Sequence, residues 1–273
     1  MKRILVPTDF SACANAAAEM AMRLAKLSGA EVYFLHLAID NAAPTHILGN
    51  SEGLNDSQIG LVRDNLDQMV KAAEADGIRA KYELVLGTGQ ERITDYIQPY
   101  KIDFLVMGSH GATGIREMVI GSKTQYVIRN IRIPSLVVKG MPRTRKLEHI
   151  VFASDFKKDC SDSLEVVIAF SRMWQSRLHL LFINLLNHLI DENVARLMMT
   201  KQMEKISNID YTLNVIETND KEFGIAQFAK EIDADIIAVP MASKTFLGRL
   251  FNPSVAEQLI NRSALPVLIV NEK

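Results

Sequence analysis

The sequence predicts two tandem α/β units, each a doubly wound sheet of five parallel strands. Three observations lead to this prediction: short apolar runs alternate with amphipathic helical runs, two stretches of the chain repeat each other, and the segment between them carries Gly, Pro and a cluster of charges. Alternating strands and helices are typical of a parallel sheet covered by helices on both faces. The length of 273 residues also fits two domains of ordinary size.

The repeat is visible at both ends of the two units. Residues 3–10 read RILVPTDF and residues 149–156 read HIVFASDF, so Asp9 and Asp155 are related by an offset of 146 residues. Near the end of each unit, IPSLVV from residue 133 and LPVLIV from residue 265 are related by an offset of 132 residues. Repetition of this kind indicates duplication. We expect domains at 1–140 and 147–273, joined by a linker over 140–147.

Each unit is predicted to have the order β-α-β-α-β-α-β-α-β. The first unit has strands at 3–6, 31–37, 81–85, 104–107 and 135–138 and helices at 14–28, 56–75, 90–99 and 122–130. The second has strands at 150–153, 178–183, 210–215, 236–239 and 267–270 and helices at 162–175, 192–206, 223–232 and 254–260. The strands are short and mostly apolar, as expected of strands buried on both faces.

Composition excludes several classes of function. The chain is 48% hydrophobic and 23% charged with a net charge of −1, which gives no general attraction to nucleic acid or anionic lipid. No apolar run reaches the roughly 18 residues that span a bilayer, and because Pro7 closely follows Met1 we expect no signal peptide. Because Cys13 and Cys160 are the only cysteines, we expect a reducing, cytoplasmic environment.

Two loops are predicted at the carboxyl edge of the first sheet, where doubly wound folds bind ligands. One is Pro7-Thr8-Asp9, after strand 1, and the other begins at Gly108 and continues to Gly121-Ser122. Glycines allow close approach of backbone amides and positive φ, and a helix that opens at Ser122 offers free N–H groups and a positive dipole end to phosphate. Lys123 and Arg116 add positive charge. The spacing is neither that of a P-loop nor that of the dinucleotide fingerprint.

The arrangement Gly108-x2-Gly111-x9-Gly121-Ser122 resembles the ATP-binding signature of the universal stress protein family. Three further segments are characteristic of that family: ILVPTDFS at 4–11, LHL at 35–37 and VMGSHG at 106–111. The resemblance covers both units, strongly over 1–139 and more weakly over 147–273. It implies a Rossmann-like, adenine nucleotide alpha hydrolase-like fold, with the units packed as a pseudo-dimer through 135–138 and 267–270.

The resemblance also implies a ligand and its contacts. ATP, ADP or AMP, with or without Mg²⁺, would bind the first unit, as an effector in a stress response or to be slowly hydrolysed. The residues implied, from the adenine end to the phosphate end, are Pro7, Thr8, Asp9, Leu37, Met107, Gly108, Gly111, Gly121, Ser122 and Lys123. From the residues alone, Leu37 fits a core position equally well. No catalytic or metal-ligating residue is predicted.

The second unit departs from the pattern where the first has its glycines. Pro240, Ser243 and Pro253 occupy the positions equivalent to those of the three signature glycines. Proline has no N–H and a fixed φ, so backbone donors are lost. We therefore predict no ATP site in the second unit, although Asp155 persists at the position of Asp9.

Other candidate groups are weaker. The six histidines are scattered without metal-ligand spacing. His36 is expected to pack near the sheet end, and His110 lies in the glycine loop, where it could contact phosphate. Cys13 is expected to be buried, with a lowered thiol pKa at the helix start as the alternative.

Two alternative functions remain open at this point. An ATP-consuming enzyme of related fold is one, although no Ser-Gly-Gly loop follows strand 1 and no carboxylate pair marks a Mg²⁺ site. A non-nucleotide interaction module is the other, and a failure of ATP to stabilise the protein would favour it. In the leading, nucleotide-binding interpretation, the pairing of the two halves leaves a homodimer of two chains as a further expected assembly.

Overall fold

The computed structural model describes residues 1–39, 54–88, 91–111, 120–140, 146–157, 159–204, 206–241 and 253–271. Strands and helices alternate along these ranges. The strands are β1 (Arg3–Pro7), β2 (Glu31–Ile39), β3 (Ala80–Gly87), β4 (Phe104–Gly108), β5 (Ser135–Val138), β6 (His149–Ser154), β7 (Arg177–Leu185), β8 (Tyr211–Thr218), β9 (Ile236–Met241) and β10 (Val267–Asn271). The helices are α1 (Ala12–Ser28), α2 (Asp56–Ala75), α3 (Ser122–Asn130), α4 (Ser161–Trp174), α5 (Glu192–Met203), α6 (Lys221–Glu231) and α7 (Pro253–Arg262).

These strands form one sheet in the order β3-β2-β1-β4-β5-β10-β9-β6-β7-β8. Neighbouring strands are parallel except at the centre, where β5 and β10 run antiparallel with Leu136 opposite Leu268. The order in the first half mirrors that in the second, and it reverses between β1 and β4 and again between β6 and β9. The predicted fold class, a tandem doubly wound α/β protein, is confirmed.

The prediction of a helix at 90–99 is wrong. Residues 89 and 90 lie outside the described residues, and the rest of the segment contains a single 3₁₀ turn at Ile93–Tyr96. Arg92 opens this turn, with its amide donating to the Asp95 carboxylate at 3.1 Å. Pro99 disfavours helical geometry at the residue before it. One turn suffices to bury the apolar residues Ile93 and Ile97, so the segment gains little from a longer helix.

Each face of the sheet has its own hydrophobic core. Side chains alternate between faces along a strand, so Ile4 lies in one core while its neighbour Leu5 lies in the other. The first core contains residues of α1, α2, α4 and α5, and the second contains residues of α3, α6 and α7. Burial on both faces explains why the strands read as continuous apolar runs.

The two halves also pack through helices and aromatic rings. Phe104 of β4 stacks on Phe170 of α4, with ring centroids 6.3 Å apart.

Among the helices of the described ranges, none has the length and apolar character required to cross a membrane. Cys13 and Cys160 are both buried, and neither forms a disulfide.

Candidate functional site

The candidate site lies at the carboxyl ends of β1, β2 and β4, where the strand order reverses. Such a reversal leaves a crevice at that edge of a parallel sheet. Pro7 ends β1 and leads into the turn before α1, while Gly108 ends β4 and Ser122 begins α3. Residues 112–119 between them, including Arg116, lie outside the described residues, so the charge expected from Arg116 stays a prediction.

Thr8 and Asp9 build the turn between β1 and α1. Thr8 is buried, and its Oγ1 accepts a hydrogen bond from the Phe10 amide at 3.0 Å. Asp9 Oδ1 accepts from the amide of Ser11 at 3.1 Å. Phe10 has a φ of 61°, a left-handed conformation that is uncommon outside glycine. These local bonds to the turn fix the Asp9 carboxylate at the mouth of the crevice.

His36 forms the adjoining wall. Its Nδ1 donates to the Thr8 carbonyl at 2.9 Å, and its ring stacks on Phe10 with centroids 5.0 Å apart. Burial is the main cause that lowers the pKa of His36, while the bond to Thr8 and the charge of Asp9 oppose it and the charge of Lys123 adds to it. The bond to the Thr8 carbonyl places a proton on Nδ1, and the lowered pKa favours the neutral ring, in which Nε2 is an acceptor. Asp9 also approaches the glycine loop, because its carboxylate lies where a Cβ on Gly111 would be.

Close packing explains the three signature glycines of the first half. An added Cβ would meet the Cys13 backbone at Gly108, the Asp9 carboxylate at Gly111 and the Cα of His110 at Gly121. None of the three has a positive φ. Of the two reasons expected for these glycines, positive φ is therefore wrong at all three positions, whereas the structure shows a close approach of neighbouring protein groups at each.

The start of α3 supplies donors for an anion. Gly121 is its N-cap, and no side chain caps this end. The amide of Gly121 donates to the Ser109 carbonyl at 2.8 Å, so it is already engaged within the protein, and the first helical bond joins the Gln125 amide to the Gly121 carbonyl. The first-turn amides of Ser122 and Lys123 therefore have no intrahelical acceptor. Both residues are exposed, and the positive end of the helix dipole favours an anion beside them.

Beneath the loop, His110 turns toward protein groups. Its Nδ1 lies 2.9 Å from Ser109 Oγ, and its Nε2 lies 3.4 Å from Cys13 Sγ. The Cys13 thiol donates to the Lys139 carbonyl at 2.8 Å. Burial is the main cause that raises the pKa of Cys13. The expectation of a buried cysteine is confirmed, and the alternative of a lowered thiol pKa is wrong.

Leu37 and Met107 differ in how they reach the crevice. Leu37 is partly buried near the end of β2, where it pairs with Val85 of β3 and packs against the second core. The Met107 side chain is only 4% exposed and belongs to that core. The Leu37 side chain thus keeps some exposed surface at this edge of the sheet, whereas Met107 keeps almost none.

The second half repeats the turn with different side chains. Phe156 has a φ of 48°, and its amide donates to Ser154 Oγ at 3.3 Å. Asp155 Oδ1 accepts from the Lys157 amide at 3.2 Å, as Asp9 accepts in the first half. Phe182, which is equivalent to His36, stacks on Phe156 with centroids 6.5 Å apart. The same turn is thus built around a purely apolar pair.

The glycine positions of the second half are occupied differently. β9 continues through Pro240, which pairs with Val270 of β10, and α7 begins at Pro253. Ser243 lies outside the described residues. Proline, which has no N–H and a fixed φ, therefore stands at two of the three positions.

One histidine pair was missed by sequence reasoning. His149 Nδ1 and His179 Nε2 lie 3.1 Å apart, and His179 Nδ1 lies 2.8 Å from Thr212 Oγ1. Burial is the main cause that lowers the pKa of His179 to about 4. The available signal was that both histidines stand near the starts of two strands that are consecutive in the predicted order. Within the described ranges, no group of three metal-ligating side chains forms.

Fold and site together define a class of protein: a tandem α/β chain with one crevice that presents first-turn amides, a cation and a carboxylate, and an equivalent crevice altered by proline and phenylalanine. A family model described as the universal stress protein family matches residues 1–139 and 146–271. The chain belongs to the universal stress protein family.

Individual relatives agree with this assignment. Universal stress protein MJ0531 of Methanocaldococcus jannaschii is 31% identical over 139 residues, which cover 50% of this chain and 82% of the relative. Universal stress protein MJ0577 of the same organism is 30% identical over 153 residues, with coverages of 50% and 94%. A solved universal stress protein from Archaeoglobus fulgidus DSM 4304 is 20% identical, has a TM-score of 0.77 and covers 99% of this chain and 98% of its own. This last likeness shows the fold over both halves.

Proposed function

We propose that this chain binds an adenine nucleotide in a first domain, residues 1–140, and that the nucleotide acts as an effector or is slowly hydrolysed. A second domain, residues 147–273, carries no nucleotide site. One observation supports the proposal most strongly: the exposed first-turn residues Ser122 and Lys123 present amides without intrahelical acceptors. Asp9 belongs to the same loop cluster, because its carboxylate lies against Gly111 while His110, the residue before Gly111, lies against Gly121, the N-cap of α3.

The charged groups indicate how a nucleotide would be oriented in the crevice. The α3 amides, the helix dipole and Lys123 favour phosphate at one wall. Asp9, at the other wall, repels phosphate but accepts hydrogen bonds from hydroxyl groups, as a ribose would offer. The partly buried Leu37 offers apolar contact beyond it. Phosphate, sugar and base thus find suitable partners in that order.

Two further features belong to the proposal. Any Mg²⁺ would be held chiefly by the nucleotide phosphates, since the described residues form no group of three metal-ligating side chains. We also propose that the protein works in the cytoplasm, with its halves as an internal pair and with homodimers as the larger assembly. The antiparallel pairing of β5 with β10 supports the internal pair.

Titration calorimetry with ATP, ADP and AMP tests the proposal, together with identification of any nucleotide released on denaturation. Ser122→Pro is the informative variant, because proline is accepted at the first helical position and Gly121 already has the extended ψ of 148° that suits a residue before proline. The helix then forms without one amide donor. Loss of a hydrogen bond to a charged group should weaken binding roughly 10- to 100-fold.

Ser122→Ala is the matched control. It removes the hydroxyl but keeps the amide, so its affinity should lie between those of the wild type and Ser122→Pro. If the wild type neither retains nucleotide nor binds it at millimolar concentration, the proposal fails and an interaction module is favoured. Rapid ATP turnover by the pure protein would instead favour an ATP-consuming enzyme.

A further inference from the structure

We propose that the second half holds the nucleotide site of the first half in position, and that Asn261 is the positioning residue. This inference rests on the proposed function. Asn261 lies in the last turn of α7. Its Oδ1 accepts from the Ile120 amide at 2.8 Å, and its backbone carbonyl accepts from Lys139 Nζ at 2.9 Å. One residue of the second half thus contacts two segments of the first.

Both segments border the candidate site. Ile120 directly precedes Gly121, the N-cap of α3, so a bond to its amide fixes the chain where the phosphate-facing turn begins. Lys139 follows β5, and its carbonyl accepts the hydrogen bond from the Cys13 thiol in the first turn of α1. Asn261 therefore links the start of α3 to the residue that contacts the start of α1.

Lys139 suits this contact electrostatically. Burial is the main cause that lowers the pKa of Lys139, so its ammonium group needs a compensating partner. The end of α7 provides one, because the last carbonyls of a helix lack intrahelical donors and carry the negative end of the dipole. The main-chain carbonyl of Asn261 fills this role, while its side chain contacts Ile120.

A second contact anchors the body of α3 to α7. Glu257 accepts from Gln125 at 2.9 Å and from two nitrogens of Arg129 at 2.6 and 3.0 Å. Burial tends to raise the pKa of Glu257, but the bonds from Arg129 and Gln125 outweigh burial and lower it. At the 132-residue offset of the repeat, Asn261 is equivalent to Arg129. The shorter asparagine contacts the main chain ahead of α3, so the two halves are not interchangeable at this interface.

Through these contacts the second half would support nucleotide binding in the first half without binding a ligand itself. Backbone donors bind an anion best when the protein fixes them beforehand, since less ordering is then required on binding. Asn261 fixes the residue before the N-cap, and Glu257 fixes the following turns of α3. The amides of Ser122 and Lys123 depend on both.

The test compares Asn261→Ala with Asn271→Ala in the full chain. Asn271 is the matched control: its Nδ2 donates to the Ile133 carbonyl at 3.0 Å, so it also bonds across the halves, but ahead of β5 rather than ahead of α3. Each variant loses one neutral hydrogen bond. Asn261→Ala should weaken ATP binding roughly 2- to 10-fold, whereas Asn271→Ala should leave the affinity unchanged at a similar loss of stability.

Hydrogen exchange of nucleotide-free protein supplies the second measurement. Amides over 120–123 should exchange faster in Asn261→Ala than in the wild type or Asn271→Ala. Equal exchange in all three proteins overturns the inference, as does an equal loss of ATP affinity in both variants. If the wild type binds no nucleotide, the proposed function fails by itself, and the exchange data still decide whether Asn261 holds the start of α3.

Discussion

A methyl group at Gly108 has no space in the native structure. The added Cβ of Gly108→Ala would lie 3.0 Å from the carbonyl carbon and the Cβ of Cys13, and 3.2 Å from the Ala14 amide nitrogen. Carbon atoms pack best at about 3.5–4.0 Å, and the backbone of α1 fixes all three neighbours. The variant must therefore move α1 away from β4. Overpacking of this kind should lower the free energy of unfolding by about 1–3 kcal/mol.

Urea unfolding measures this effect through the transition midpoint at constant slope. Gly140→Ala is the control, because an added Cβ there meets no atom within 4 Å and the residue has no positive φ; it should change stability by no more than about 0.5 kcal/mol. Equal midpoints for the two variants would refute the close-packing explanation of Gly108. Because α1 follows the Thr8-Asp9 turn directly, we also expect weaker nucleotide binding by Gly108→Ala.

Two further predictions concern stability alone. Gly60→Ala in α2 should stabilise the protein by about 0.5–1 kcal/mol, because alanine favours helix and its Cβ meets no atom within 4 Å; an unchanged or lower unfolding midpoint would contradict this. Acidification should destabilise the protein between about pH 6.5 and pH 4, because burial chiefly, with the charges of His149 and Arg177, lowers the pKa of His179 from 6.5 to about 4. In that range the unfolded chain binds more protons than the folded protein, so the free energy of unfolding decreases as the pH is lowered. In His179→Gln, the free energy of unfolding measured by urea should change less with pH over this range. A pH dependence equal to that of the wild type would contradict the prediction.

Most of the fold could be predicted from the sequence because it depends on local periodicity. Strands buried on both faces must be apolar throughout, and α2 begins and ends at the predicted residues, Asp56 and Ala75. Helix α1 ends, as predicted, before Gly29, which has a φ of 71°. The wrong helix at 90–99 had a weak apolar pattern and a proline near its end. Local patterns fail where burying two side chains requires only one turn.

The candidate site was predictable in its residue types but not in its contacts. The glycines were identified, yet the reason for each required its spatial neighbours, which are Cys13 for Gly108, Asp9 for Gly111 and His110 for Gly121. The bond between Ile120 and Asn261 joins residues 141 positions apart. Such contacts depend on how the halves are arranged in the sheet, and no local pattern encodes this.

The two halves show why a duplicated domain can keep its scaffold while one site changes. Phe10 and His36 form a partly buried pair beside the crevice of the first half, whereas the equivalent Phe156 and Phe182 are only 2% and 1% exposed. Exchange of histidine for phenylalanine removes a polar ring and adds apolar burial, which stabilises the fold. Proline at the start of α7 is likewise compatible with a helix, and the amide it lacks is one that bonds within the protein at Gly121 of the first half. Each change is neutral or favourable for the sheet, so the second half can differ from the proposed nucleotide site and still keep the surface that presents Asn261 to the first half.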